Sequence, residues 1–119
     1  MIWAKIASLL MMLGVILGAF GSHALKGKVS DYHLDVYKTG VLYHFIHALG
    51  LFAVAWVMVH WNNPRLNVAG IFLLAGILLF SGSLYVYAVT NIRWLGFVTP
   101  FGGLCFIIGW FLLFLNIHS

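Results

Sequence analysis

Apolar residues in this chain neither alternate nor keep to one stripe; they run in blocks. Four stretches dominated by Leu, Ile, Val, Phe, Ala and Gly lie at roughly 3–22, 36–59, 67–89 and 94–115, each able to cross a ~30 Å hydrocarbon layer as a helix of ~20 residues. A lipid-exposed span must hydrogen-bond its own backbone, and runs of this length are too long for barrel strands, so the pattern predicts an all-α fold. Short connections make successive helices antiparallel. The expected architecture is a four-helix integral membrane bundle, up-down-up-down, forming a single domain over residues 1–119.

The polar breaks refine the helix ends. Residues 25–35 form the longest polar connection, in which Ser30 or Asp31 reads as the N-cap of a helix running on to His60. Such a helix measures ~45 Å at 1.5 Å per residue, more than the membrane needs. Its first turns are expected to project into the head-group region, where Lys38 can snorkel, rather than to bend at Gly40. Thr99-Pro100 has the chemistry of an N-cap followed by proline at the first helical position. Trp3, Trp61 and Trp94 fall at span ends, as an interfacial aromatic belt requires. Lys5, the apolar stretch that follows it and Ser22-His23-Ala24 imitate a secretory signal with a small-x-small cleavage site, but removal would leave three spans, and a retained first span is expected.

Composition agrees with a membrane environment. The chain is 64% hydrophobic and 7% charged, whereas soluble domains carry about 25% charged residues. The formal net charge of +4 is spread over scattered Lys and Arg with no cluster dense enough for nucleic acid, which is excluded as a partner. Lys26, Lys28, Lys38 and Arg93 flank the first and third loops, against Lys5 and Arg65 on the other side, so the positive-inside rule favours those two loops facing the cytoplasm. The single cysteine, Cys105, excludes an internal disulfide and a CxxC redox pair.

Candidate chemistry lies on the second span. At 100° per residue His33, Tyr37, Gly40, His44, His47, Leu51 and Met58 share one face, with Tyr43 beside it. Histidines buried between helices can serve as packing glue through hydrogen bonds to other helices. They can also mark a proton or neutral-solute path, because ionisable groups at membrane depth are functional candidates by default, and such a path would conduct in a pH-dependent way near the ordinary histidine pKa of ~6.5. A third alternative is a haem or metal held by His23, His44 and His47. No acidic residue lies at that depth, so a dimetal carboxylate site is excluded, as is the carboxylate-driven cation exchange of small four-helix exporters.

Small residues supply the remaining signals. Gly14, Gly18 and Ser22 form a small-xxx-small ladder on the first span; Ser81, Gly82 and Ser83, followed by Tyr85, place hydroxyls inside the third; Gly102, Gly103 and Gly109 mark the fourth. These faces allow close helix packing, within one chain or in a homo-oligomer. No cofactor, metal site or catalytic residue is expected, since no nucleophile has a base and an orienting group beside it. The bundle reads as structural or accessory, with His47→Asn tolerated.

The stretch YHFIHALGL at 43–51, taken with GAFGSHAL at 18–25, FSGSLY at 80–85 and TPFGG at 99–103, resembles the YgdD-like small membrane proteins, domain of unknown function 423. The resemblance covers nearly the whole chain. It implies a multi-pass protein of the plasma membrane, the inner membrane in bacteria, with uncharacterised transmembrane relatives in eukaryotes and no agreed catalytic residues. The matching positions include His23, Tyr43, His44, His47, Ser81, Ser83, Tyr85, Thr99 and Pro100. Tyr37, in place of a tryptophan, and Asn91, where glycine is commoner, depart from the pattern.

Overall fold

The computed structural model describes residues 1–117. Four helices are long and apolar enough to cross a membrane: α1 (Ile2–Leu25), α2 (Asp31–His60), α3 (Arg65–Thr90) and a last segment (Arg93–Asn116) made of a short 3-10 turn, Arg93–Phe97, leading into α4 (Thr99–Asn116). No strand occurs among the described residues. The all-α membrane bundle anticipated from the apolar runs is the observed fold, within an envelope of 49 × 26 × 19 Å.

α2 is an unbroken helix through Gly40. Ser30 caps it: its backbone is extended, and its Oγ accepts the His33 N–H at 3.1 Å. Asp31 sits in the first turn, where the helix dipole favours a negative charge. α3 begins after Pro64, with the Arg65 N–H donating to Asn63 Oδ1 at 3.0 Å. It ends at Asn91, which adopts the left-handed conformation (φ 56°) and donates its N–H to the Tyr87 carbonyl. That conformation explains why glycine would suit this position and why asparagine, whose short polar side chain tolerates it, can replace glycine.

The start of α4 corrects one expectation. Thr99 and Pro100 are the first two residues of the helix, Val98 is the cap residue, and no side chain caps it. The chain arrives from the 3-10 turn already in helical geometry, and the Val98 carbonyl accepts from Phe101 and Gly102. The Thr99 hydroxyl is therefore free to bond elsewhere.

α1 packs along α2, α2 along α3 and α3 along α4, so the chain order is also the packing order. α2 and α3 are the inner pair and the more buried; α1 and α4 flank them. Large apolar side chains such as Phe20, Ile71, Ile107 and Phe114 point outward, the surface a lipid solvent calls for. At the end of the bundle that carries the termini, Ala7, Leu51, Val54, Leu66, Ala69 and Leu73 form a fully enclosed core.

Trp3, at the start of its span, closes this core. It is buried, its ring lies on Gly70, and its indole N–H donates to Asn67 Oδ1 at 2.9 Å. A glycine at 70 makes room that any Cβ would fill, with ring atoms 2.6 Å from where that Cβ would stand. Trp94, by contrast, is exposed as expected.

The glycine ladders also behave differently from a backbone-on-backbone contact. Gly14 receives the Phe45 ring and Gly18 receives Val41 and Phe45, so both accept side chains of α2. Gly109 faces Leu73. Gly102 brings backbone hard against backbone, meeting Phe80 of α3, and Gly109 also approaches the Leu73 backbone nitrogen, though less closely than its side chain. Gly103 makes one ordinary contact with Phe80, and Gly82 faces open space, so Gly82 is not a packing glycine within the chain.

Candidate functional site

The polar seam of α2 is built in tiers. At the loop end, His33 accepts from or donates to two groups: Ser30 Oγ at 2.6 Å from Nδ1, and Asn91 Oδ1 at 2.9 Å from Nε2. The amide oxygen can only accept, so Nε2 carries the proton and Nδ1 takes the Ser30 hydroxyl hydrogen. His33 thus ties the start of α2 to the end of α3, and it stacks on Tyr87 at 5.1 Å. Periodicity placed His33 on the seam; its Asn91 partner gave no sequence signal.

One turn deeper, Tyr37 is buried and its hydroxyl donates to the Leu17 carbonyl of α1 at 2.6 Å. Leu17 opens a distinctive stretch. Residues Ile16–Gly21 wind as a π-helix, in which the Leu17 carbonyl also accepts the Ser22 N–H five residues on. Gly21 leaves the space into which the Tyr37 hydroxyl projects. α3 has a matching π-helical stretch, Ile77–Ser81, and Ser81 at its end donates to the Gly40 carbonyl of α2 at 2.7 Å. Both irregular segments therefore stand where a hydroxyl crosses between helices.

His44 occupies the next tier. Its Nε2 lies 2.7 Å from the Leu10 carbonyl of α1, and its Nδ1 lies 2.9 Å from the Tyr85 hydroxyl of α3. Because a carbonyl only accepts, Nε2 bears the hydrogen, and Nδ1 accepts from the tyrosine. One imidazole, 3% exposed, joins three helices. Tyr37 and Tyr85 lie ring to ring at 5.2 Å, which packs the two tiers into one aromatic column.

His47 behaves differently. Its Nδ1 is 2.7 Å from the Tyr43 carbonyl of its own helix, so it crosses to no other helix by hydrogen bonding. Its ring instead lies parallel to Phe106 of α4, centroids 3.4 Å apart. Tyr43 flanks it at 6.0 Å and is itself half out of the bundle. Ser83 Oγ lies 2.6 Å from Thr99 Oγ1 and joins α3 to α4. Thr99 also reaches the Leu95 carbonyl at 3.3 Å, the use to which its uncapped hydroxyl is put.

His23 lies apart, exposed near the end of α1. The convergence of His23, His44 and His47 considered for haem or metal does not occur. Among the described residues no three His, Cys, Asp or Glu side chains group as metal ligands would. Two asparagine links escaped the sequence reading: Trp3 with Asn67, and Asn63 with Asn116 at 3.0 Å, which holds the second turn to the end of α4.

A family model described as "Protein of unknown function (DUF423)" matches residues 17–103, and the chain belongs to that family. It is 50% identical over 103 residues to the UPF0382 membrane protein YwdK of Bacillus subtilis, covering 86% of this chain and 84% of that protein. It is 43% identical over 111 residues to a UPF0382 membrane protein of Staphylococcus haemolyticus, covering 93% and 90% respectively. A Staphylococcus aureus relative of the same description shares 44% identity over 102 residues, covering 86% and 83%. These relatives carry the UPF0382 name rather than a YgdD-like one. No solved structure matches the chain. The four spans and the bacterial membrane relatives together make it a multi-pass protein of the plasma membrane, with the lipid bilayer as its surroundings.

Proposed function

We propose that the protein is a non-catalytic structural or accessory bundle whose buried His/Tyr/Ser seam locks α1, α2 and α3 in a single arrangement. The observation that carries this is His44, whose two ring nitrogens are both engaged, one by α1 and one by α3. Among the described residues every fully enclosed side-chain nitrogen and oxygen has a partner. That is what a lock requires; a relay needs groups free to exchange partners. Beyond His44 and His47 the α2 face continues into Leu51 and Val54, packed with Leu66 and Leu73, all fully enclosed. An apolar plug thus stands where a conducting path would have to continue.

In the same reading, Gly14, Gly18, Gly102 and Gly109 are taken up inside the chain, so a homo-oligomer built on glycine would use Gly82 and Gly96, which face open space. The first and third loops face the cytoplasm, following the bias of the basic residues.

The test is proton flux into liposomes loaded with a pH-sensitive dye, measured between about pH 5 and 8, the range over which an ordinary histidine changes charge. Flux no greater than in protein-free liposomes is expected, for the wild type and for His44→Phe alike. A pH-dependent flux in the wild type that disappears in His44→Phe would replace the lock with a proton path.

A further inference from the structure

The seam leaves one polar atom outside the lock. The Tyr43 carbonyl can only accept, so the Nδ1 of His47 carries the proton and Nε2 presents a bare lone pair. His47 is 4% exposed, and Nε2 has no protein partner among the described residues. All fully enclosed side-chain nitrogens and oxygens are partnered, so Nε2 retains a sliver of accessible surface. His47 lines a groove of about 570 Å³ between α2, α3 and α4, whose walls also include Tyr43, Phe80, Phe106 and Trp110. The volume lies within the usual range of small-molecule sites, ~300–1,000 Å³.

We propose that this groove binds a lipid-soluble phenol or quinol head group, which donates an O–H to Nε2 of His47. Three features select that chemistry. First, the acceptor stands near the middle of α2, at membrane depth, where lipid head groups do not reach. The donor must belong to a molecule apolar enough to dwell there with a single small polar group. Second, the walls are aromatic and the His47 ring is already held parallel to Phe106. A flat aromatic ring finds offset-stacked and edge-on partners there that an aliphatic alcohol would not use. Third, a second groove of about 490 Å³ adjoins this one at Phe80 and Pro100 and runs toward Arg93 at the loop end, giving an alkyl tail an apolar track.

The tautomer makes the site prefer one redox form. Nε2 can accept and not donate, so a quinol, which has O–H groups, is bound more tightly than its oxidised quinone, which has only acceptors. This site does not use the His44 lock and does not rest on it.

The experiment uses full-length protein in nanodiscs of zwitterionic lipid, with decyl-hydroquinone and decyl-benzoquinone as probes under anaerobic conditions. Saturable retention of the hydroquinone is expected at one per chain over empty discs, with affinity at least about tenfold above that of the quinone, as one hydrogen bond at an otherwise unsatisfied buried acceptor allows. His47→Phe is expected to abolish the preference. Gly103→Leu leaves His47 untouched and fills the groove, since the nearest atom to a Cβ there is a Phe80 ring carbon at 3.9 Å; it is expected to abolish retention while the melting temperature holds. Equal retention of both probes, retention unchanged by Gly103→Leu, or no saturable retention would each overturn the proposal. So would cross-linking that finds a second copy of the chain seated over His47.

Discussion

Removing a single oxygen, by Tyr85→Phe, tests the lock most directly. The ring keeps its packing against Tyr37 and His44, and only the hydroxyl that donates to His44 Nδ1 at 2.9 Å is lost. That nitrogen is then an unpartnered acceptor on a side chain 3% exposed, with little chance of finding water. Interhelical hydrogen bonds in membranes average ~0.6 kcal/mol and reach ~1.7 kcal/mol, while an unsatisfied buried polar group costs ~1–3 kcal/mol. A loss of about 1–2 kcal/mol is expected, roughly a 5- to 30-fold fall in the ratio of folded to unfolded protein. Tyr37→Phe supplies the comparison. The carbonyl it deserts, that of Leu17, still accepts the Ser22 N–H, so its cost should be smaller. The assay is reversible unfolding in mixed micelles, run as a double-mutant cycle with His44→Phe. A coupling of about 1 kcal/mol is expected, because the second substitution removes a bond already gone. Costs that simply add, or a Tyr85→Phe stability within about 0.3 kcal/mol of the wild type, would refute the account of His44 as a bridge.

Glycines separate by what a Cβ would meet. Gly102→Ala sets a methyl group against the Phe80 backbone, which cannot swing away, and should destabilise the bundle by about 1–3 kcal/mol in the same unfolding assay. Gly82→Ala meets nothing and should stabilise by up to about 1 kcal/mol through helix propensity alone. Asn91→Ala should cost about 1–2 kcal/mol, combining the left-handed backbone at φ 56° with the lost bond to His33, while Asn91→Gly removes only the bond and should cost less.

The helices and the seam were legible because both are periodic. Lipid demands long apolar runs, and a 100° step per residue brings Tyr37, Gly40, His44 and His47 to one face regardless of their neighbours; all four are buried. The partners were not legible, for a physical reason. Tyr37, His44 and Ser81 bond to the carbonyls of Leu17, Leu10 and Gly40, and every residue in the chain has a carbonyl, so the type of residue carries no mark of being chosen. The same limit governs the glycines. Spacing shows that something approaches closely, but whether that is the Phe45 ring at Gly14 or the Phe80 backbone at Gly102 depends on helix rotation. Thr99 failed as a cap because the 3-10 turn before it, which follows from no strong local pattern, delivers the chain already helical.

The distribution of polar groups also bears on the irregular stretches in the two helices that pack against α2. A hydroxyl or imidazole crossing from α2 must meet an acceptor on α1 or α3, yet in a regular α-helix each interior carbonyl is already taken by an N–H four residues on. A carbonyl has two lone pairs, and what limits the second bond is access. The π-helical winding of Ile16–Gly21 widens the turn that holds Leu17, and Gly21 removes the side chain that would cover it. On α3 the complementary winding ends at Ser81, which donates to the Gly40 carbonyl of α2. At Leu17 the crossing hydrogen bond, the π-helical turn and the glycine act together, whereas the His44 bond to the Leu10 carbonyl lands on a regular stretch of α1. Straightening either π-helical segment by deleting one residue should remove the crossing bond beside it, and it should do so even though no residue that makes the bond has been replaced.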